Sequence, residues 1–276
     1  MKTTTRRDLL LSTAAALSAA FVTTGCSGAA VRPKTAETDV PSAGRFPHVR
    51  FGLVLEKFVS EDGLVDYAAL AKDTDAIGNL DAYLAEVARI SPKRQPHLFP
   101  TEPDAVVYWL NAHNAAALSG VLAAKRPATV NGAFDGTTYL FGKDVLTLSG
   151  VRSLVRKTYR DCRHHLALVA ARRGGPALFR APYAAATLDA ELDVAARLFL
   201  SKESHARQGK DAHEALLHPL VLEHRADFER EMPSTVSGDE RLIVSVNRFR
   251  PADRKLSGNR VTALPADLRL NDVANR

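Results

Sequence analysis

Residues Pro103 to Ala124 form a stretch that is small or apolar on nearly every side of a helix, broken only by a few polar residues. At 3.6 residues per turn, Val107, Leu110, Leu118, Val121 and Leu122 share one face, and Trp109, Ala112, Ala116 and Gly120 cover another. A helix apolar all round belongs inside a domain, so the rest of the fold must be built around it. Asn111 and Asn114 project from its apolar stripe, three residues apart and therefore neighbours. An unpartnered buried amide costs about 1–3 kcal/mol, so both asparagines require fixed partners. His113 falls on the opposite face, which predicts that it shares no pocket with them.

The chain has 276 residues, 46% hydrophobic and 25% charged, an ordinary globular composition. Its first 26 residues read as an export signal. Arg6-Arg7-Asp8-Leu9-Leu10 leads an uncharged run, and Thr23-Thr24-Gly25-Cys26 closes it. The paired arginines resemble the twin-arginine type, which exports folded proteins in bacteria, although arginine pairs also occur by chance before ordinary signals. The ending is similar to a lipobox, with Thr23 where leucine is usual, and predicts acylation of Cys26. Two alternatives stay open. One is a soluble periplasmic protein cut near Ala29 or Ala30; the other is a retained anchor, although the run falls short of the roughly 20 apolar residues of a span. Residues 27–45 are small, polar and proline-bearing, a flexible tether. A globular domain is expected over 46–260 and a weakly patterned tail over 261–276.

Net charge is +6, of which residues 1–26 carry +2. The remaining basic residues are scattered among acids, so nucleic acid is not an expected partner. The expected partners are the membrane, through an acylated Cys26, and an unknown envelope protein or small ligand.

Periodicity predicts a helix over Asp75–Arg89 and another drawing on Val145, Leu148, Val151, Leu154 and Val155. Asn131-Gly132 and Asp135-Gly136 mark turns. The short apolar run His165–Ala171, ended by Arg172-Arg173-Gly174-Gly175-Pro176, reads as a buried strand. A helix capped by Thr187 follows, then a helix over Leu216–Glu231 broken at His218-Pro219, and a late strand at Leu242–Val246. The fold class is α+β, a predominantly helical single domain with a small sheet packed on the central helix.

The segments Glu61–Tyr67, Tyr108–Asn114, His165–Leu178, Asp189–Leu200, Asp227-Phe228 and Phe249–Asn259 occur in that order. Together they resemble the domain-of-unknown-function family numbered 547, over residues 50 to 260. The resemblance implies a histidine at His165, cysteines where this chain has Ala170 and Gly175, an acid where it has Arg152, and an aromatic residue where it has His113. A thiol beside a histidine and an acid is the composition of a nucleophile, or of a redox or metal site. Without either cysteine, family-type thiol chemistry is expected to be absent. Cys162 lies at the other end of the apolar run and cannot replace them, so it reads as a passive thiol.

Histidine is the natural general base, which leaves His165, Asn111 and Asn114 as the candidate catalytic set. The blander expectation is that His165 bonds one of the asparagines and holds the central helix in place. His213, His218 and His224 lack a metal spacing, and no phosphate loop, His-Glu-x-x-His or Gly-x-Ser-x-Gly occurs, so no metal or cofactor is expected. Arg172, Gly174 and Gly175 are the candidate ligand-binding residues, as a turn whose amides and guanidinium face an acidic group. The expected function is a non-catalytic binding or scaffold protein of the cell envelope. The alternative is a cysteine-independent hydrolase or transferase using His165 with Asn111 and Asn114.

Overall fold

The computed structural model describes residues 44–130 and 136–276. Arg6, Arg7, Cys26 and the tether as far as residue 43 lie outside the described residues, as do Asn131, Gly132 and Asp135 of the expected turns. Helix α1 spans Val49–Phe58, a short α2 covers Tyr67–Leu70, α3 spans Thr74–Arg89 and α4 spans Glu102–Ala123. Thr101 starts α4 by a reciprocal capping arrangement: the Asp104 amide donates to the Thr101 hydroxyl, and the Asp104 carboxylate accepts from the Thr101 amide. Pro103 fits this first turn because its missing amide hydrogen is not needed there. The main core is assembled on α4, with Phe51, Leu55, Leu80, Tyr83, Leu110, Leu118 and Val121 all buried. Tyr108 donates to the Ile90 carbonyl at 2.7 Å and so ties α4 to the end of α3.

Strands β1 (Thr138–Phe141) and β2 (Asp144–Thr147) form a hairpin in which Phe141 pairs with Asp144. Its two-residue turn places Gly142 and Lys143 at φ 55° and 72°, the left-handed geometry that matches strand twist. The helix expected from Val145 onward therefore starts only at Leu148, where the Thr147 hydroxyl accepts from the Gly150 amide. It continues as α5 to Tyr159. Helix α6 (Leu188–Leu200) follows. Thr187 precedes it, but its side chain bonds Glu191 rather than capping a first-turn amide.

Four sequence expectations need correction. The run His165–Ala171 is not a strand: a single 3-10 turn over Cys162–Leu166 leads into irregular, buried chain. Side chains from α4 and α5 satisfy this backbone, so it can be buried without a partner strand. The helix expected over Leu216–Glu231 begins as strand β4 (Glu214–Leu217), paired antiparallel with β3 (Ala206–Gln208). Helices α7 (Pro219–Glu223) and α8 (Arg225–Glu229) then meet at His224. Leu242–Val246 belongs to helix α9 (Gly238–Asn247), whose Ser245 hydroxyl reaches the Phe228 carbonyl at 2.6 Å. Finally, residues 261–276 are no loose tail. Strand β5 (Arg260–Ala263) runs parallel to β4, and the chain beyond it bonds the backbone at Leu217, Ala128, Val130, Ala171 and Val65. Helices α6, α8 and α9 enclose a second group of buried side chains, including Phe199, Phe228, Leu242 and Val246. Among the described residues the architecture is a mostly helical α+β domain with two small sheets.

Candidate functional site

Both asparagines of α4 hold distant backbone through both ends of the amide. Asn111 donates its amide to the Tyr183 carbonyl and accepts from the Tyr183 amide, each at 2.9 Å. Asn114 donates to the Ala167 carbonyl at 3.0 Å and accepts from the Val169 amide at 2.9 Å. His113 does reach this pair: its ring folds back along the helix and donates Nδ1–H to the Asn114 oxygen at 3.1 Å. Burial and the nearby Arg152 push its pKa down to about 3, so it is held neutral. Each asparagine thus spends one amide hydrogen and its oxygen on the chain it holds, and releasing either bond to a substrate would free that backbone.

His165 bonds neither asparagine. Its Nε2 faces Asp227 at 3.0 Å, and its ring stacks on His224 with centroids 3.7 Å apart and planes inclined by 7°. A carboxylate only accepts, so Nε2 carries the hydrogen and Nδ1 carries a bare lone pair. That Nδ1 is buried without a partner among the described residues. Burial, reinforced by His224 and opposed by Asp227, lowers the His165 pKa to about 4. Asp227 is itself buried. Its burial opposes charge, but His165 and Arg156 hold it below the usual carboxylate range, with Arg156 Nε 2.6 Å away and Arg230 on its other oxygen. The resemblance placed the acid of this site on α5, where Arg152 stands. The structure supplies one from α8, 62 residues beyond the histidine. No local spacing signalled that pairing.

His165, His224 and Asp227 bring potential metal-ligating atoms within 4.8 Å of one another. Their arrangement opposes a metal. A ring nitrogen directs its lone pair in the ring plane, and two nearly parallel planes one stacking distance apart cannot both contain one ion. The guanidinium groups of Arg156 and Arg230 already compensate the carboxylate.

Two concavities flank the turn at Arg172–Pro176. One, about 640 Å³, is lined by Arg152, Arg156, Ala170, Gly175 and His224 among others. The other, about 470 Å³, is lined by Arg173, Lys202, His205, His218 and Asn271, with Asp62 and Asp267 at its edges. Arg172, Gly174 and Gly175 border both. The two glycine amides do not form an open nest: Gly174 donates to the Asp267 carbonyl at 3.0 Å and Gly175 to the Arg172 carbonyl at 2.9 Å. Arg172 spends its Nε on the Val130 carbonyl. A Cβ placed on Gly175 would lie 3.9 Å from that of Ala170, within the range of roughly 3.5–4.5 Å found across a disulfide. The two positions where the resemblance implies cysteines therefore face each other at the cavity wall. Cys162 lines neither cavity and is buried, and burial raises its thiol to about 12.

These features define a class: an α+β domain assembled on a buried helix, with a histidine–aspartate pair sealed beneath a basic cleft. Residues 100–200 match the model of the family described as "Protein of unknown function, DUF547". The match begins beside the Thr101 cap and ends with α6. It contains Asn111, Asn114, His165, Ala170 and Gly175, and leaves out His218, His224 and Asp227. No curated protein and no solved structure matches the chain.

Proposed function

We propose that this chain is a cell-envelope protein, exported by the Arg6-Arg7 signal and anchored through an acylated Cys26, that binds a small ligand without transforming it. The observation that carries the non-catalytic part is the state of His165. Its Nε2–H is committed to Asp227, its ring face is covered by His224, and its remaining nitrogen is buried. A general base must reach the proton it abstracts, and His165 lines neither of the two cavities beside the Arg172–Pro176 turn. Ala170 and Gly175 supply no nucleophile at the adjoining cavity.

The alternative, a cysteine-independent hydrolase or transferase, draws support from the 3.0 Å His165–Asp227 contact, a histidine–carboxylate pairing that catalytic histidines also use, although they present Nδ1 to the carboxylate and His165 presents Nε2. A turnover assay over amide, ester and thioester substrates separates the two. Wild-type protein is expected to match His165→Ala throughout; turnover present in wild type and lost in the variant overturns the binding reading. For the anchor, mass spectrometry of the membrane-fraction protein is expected to show a diacylglyceryl group on Cys26. An unmodified N-terminus at Ser27 or beyond overturns it.

A further inference from the structure

The smaller cavity beside the Arg172–Pro176 turn holds two buried donors with nothing to donate to. His218 accepts the Leu220 amide on Nδ1 at 3.1 Å. A backbone amide can only donate, so the neutral ring carries its hydrogen on Nε2. That Nε2 is buried and has no partner among the described residues. Asn271 accepts from the Tyr67 hydroxyl on Oδ1 at 2.9 Å, and its Nδ2 is likewise buried without a partner. His218 and Asn271 are only 7% and 2% exposed, and both line this cavity. His205 shares the wall but uses its Nδ1–H on the Phe199 carbonyl.

The charges around these donors have the matching sign. Asp62 and Asp267 border the cavity, yet each is already compensated, by Arg276 at 2.8 Å and by Arg269 at 2.6 Å. Arg173 stands 3.9 Å from Asp267, a loose contact. Lys202 closes no ion pair among the described residues, and its charge feels the repulsion of Arg173 as well as the attraction of Asp62. Two cations and two unsatisfied donors around one concavity are the complement of a group that accepts hydrogen bonds and carries negative charge.

We propose that this cavity binds a small molecule through an oxyanion, a carboxylate or a phosphate, with Lys202 and Arg173 supplying charge and His218 and Asn271 supplying donors. The assignment rests on the ligand-binding reading and gives it a chemical class. The test is calorimetric titration of the full-length protein in detergent with inorganic phosphate and, separately, with acetate. Saturable binding of at least one anion is expected, and the stronger of the two identifies the oxyanion. Lys202→Met, a substitution at an exposed side chain, is expected to weaken it about tenfold, roughly 1.4 kcal/mol. The exposed Lys157→Met on α5 controls for general charge and is expected to leave affinity unchanged. The His218 Nε2–H proton resonance is expected to move on binding. Failure of both anions to bind, or equal binding by Lys202→Met and wild type, overturns the proposal. If neutral compounds bind here while both anions fail, the oxyanion assignment falls and the ligand-binding reading stands. Chemical conversion of a bound anion overturns the non-catalytic reading and leaves the oxyanion assignment intact.

Discussion

Asn111 grips the peptide of Tyr183 at both ends, donating to its carbonyl and accepting from its amide at 2.9 Å each, across 72 residues of sequence. The amide acts as a strand edge would, but from a helix. Asn111→Leu fills similar space and leaves both backbone groups buried without partners, at about 1–3 kcal/mol each. The expected loss is about 2–6 kcal/mol, a fall in Tm of roughly 4–24 °C for a domain of this size. Thermal unfolding followed by circular dichroism checks it; an unchanged Tm would show that the clamp does not hold Tyr183 in solution.

Acid should unfold this protein early. His113, His165, His205 and His218 are buried, and burial chiefly lowers their pKa values, to about 3 for the first and about 4 for the others. In the unfolded chain these groups titrate near 6.5. As pH falls below that value the unfolded chain takes up protons that the folded chain refuses. Their contribution to stability is therefore complete above about pH 7 and declines between about pH 6.5 and 4. Each group adds at most about 1.4 kcal/mol per pH unit to the slope. Urea unfolding across this range should show the decline, and His205→Phe should make it shallower. A flat profile down to pH 4.5 would contradict the burial of neutral histidines.

What the sequence reveals depends on how local the cause is. Helices α3 and α4 are legible because apolar period, length and capping residues agree within one stretch. His165–Ala171 misleads because a continuous apolar run reports burial without reporting what satisfies the backbone. Here Asn114 and Arg152 do so, from elsewhere in the chain. At Leu242–Val246 five apolar-rich residues suit either a strand or a helix, and Asp239-Glu240 in the first turn was the signal favouring a helix. Asn111 and Asn114 could be identified as residues needing partners, whereas their partners could not. The union of His165 with Asp227 depends wholly on tertiary packing.

The C-terminal segment gives a sharp contrast between the two levels of reading. A loose tail would be dispensable. Instead Leu264 and Leu270 are buried, Asn271 holds the Tyr67 hydroxyl, and the backbone from 264 to 273 bonds four separate parts of the chain. Deleting residues 264–276 is expected to give protein without cooperative unfolding. Deleting only 274–276 removes the Arg276–Asp62 pair, an exposed contact screened by solvent, and should be tolerated. A folded, cooperative 1–263 variant would show that these buried contacts are not required.

Ala170 and Gly175 supply the last test, because the resemblance implies a cysteine at each and the two positions face each other. With a Cβ separation of 3.9 Å, the double variant Ala170→Cys/Gly175→Cys is expected to close a disulfide under air oxidation, seen as a mass loss of about 2 Da and protection from alkylation. The short loop limits the entropic gain to about 2 kcal/mol. Part of that is offset, since the new Cβ at 175 would lie 3.1 Å from the Arg172 carbonyl and requires a small backbone adjustment. Ala170→Cys alone needs no new Cβ and lines the larger cavity, so it should fold and react with a small alkylating reagent. Oxidation of the pair would mean that cysteines at these two positions act together, as a crosslink or a redox couple, and not as a lone nucleophile. Two thiols that remain separately reactive would argue the reverse.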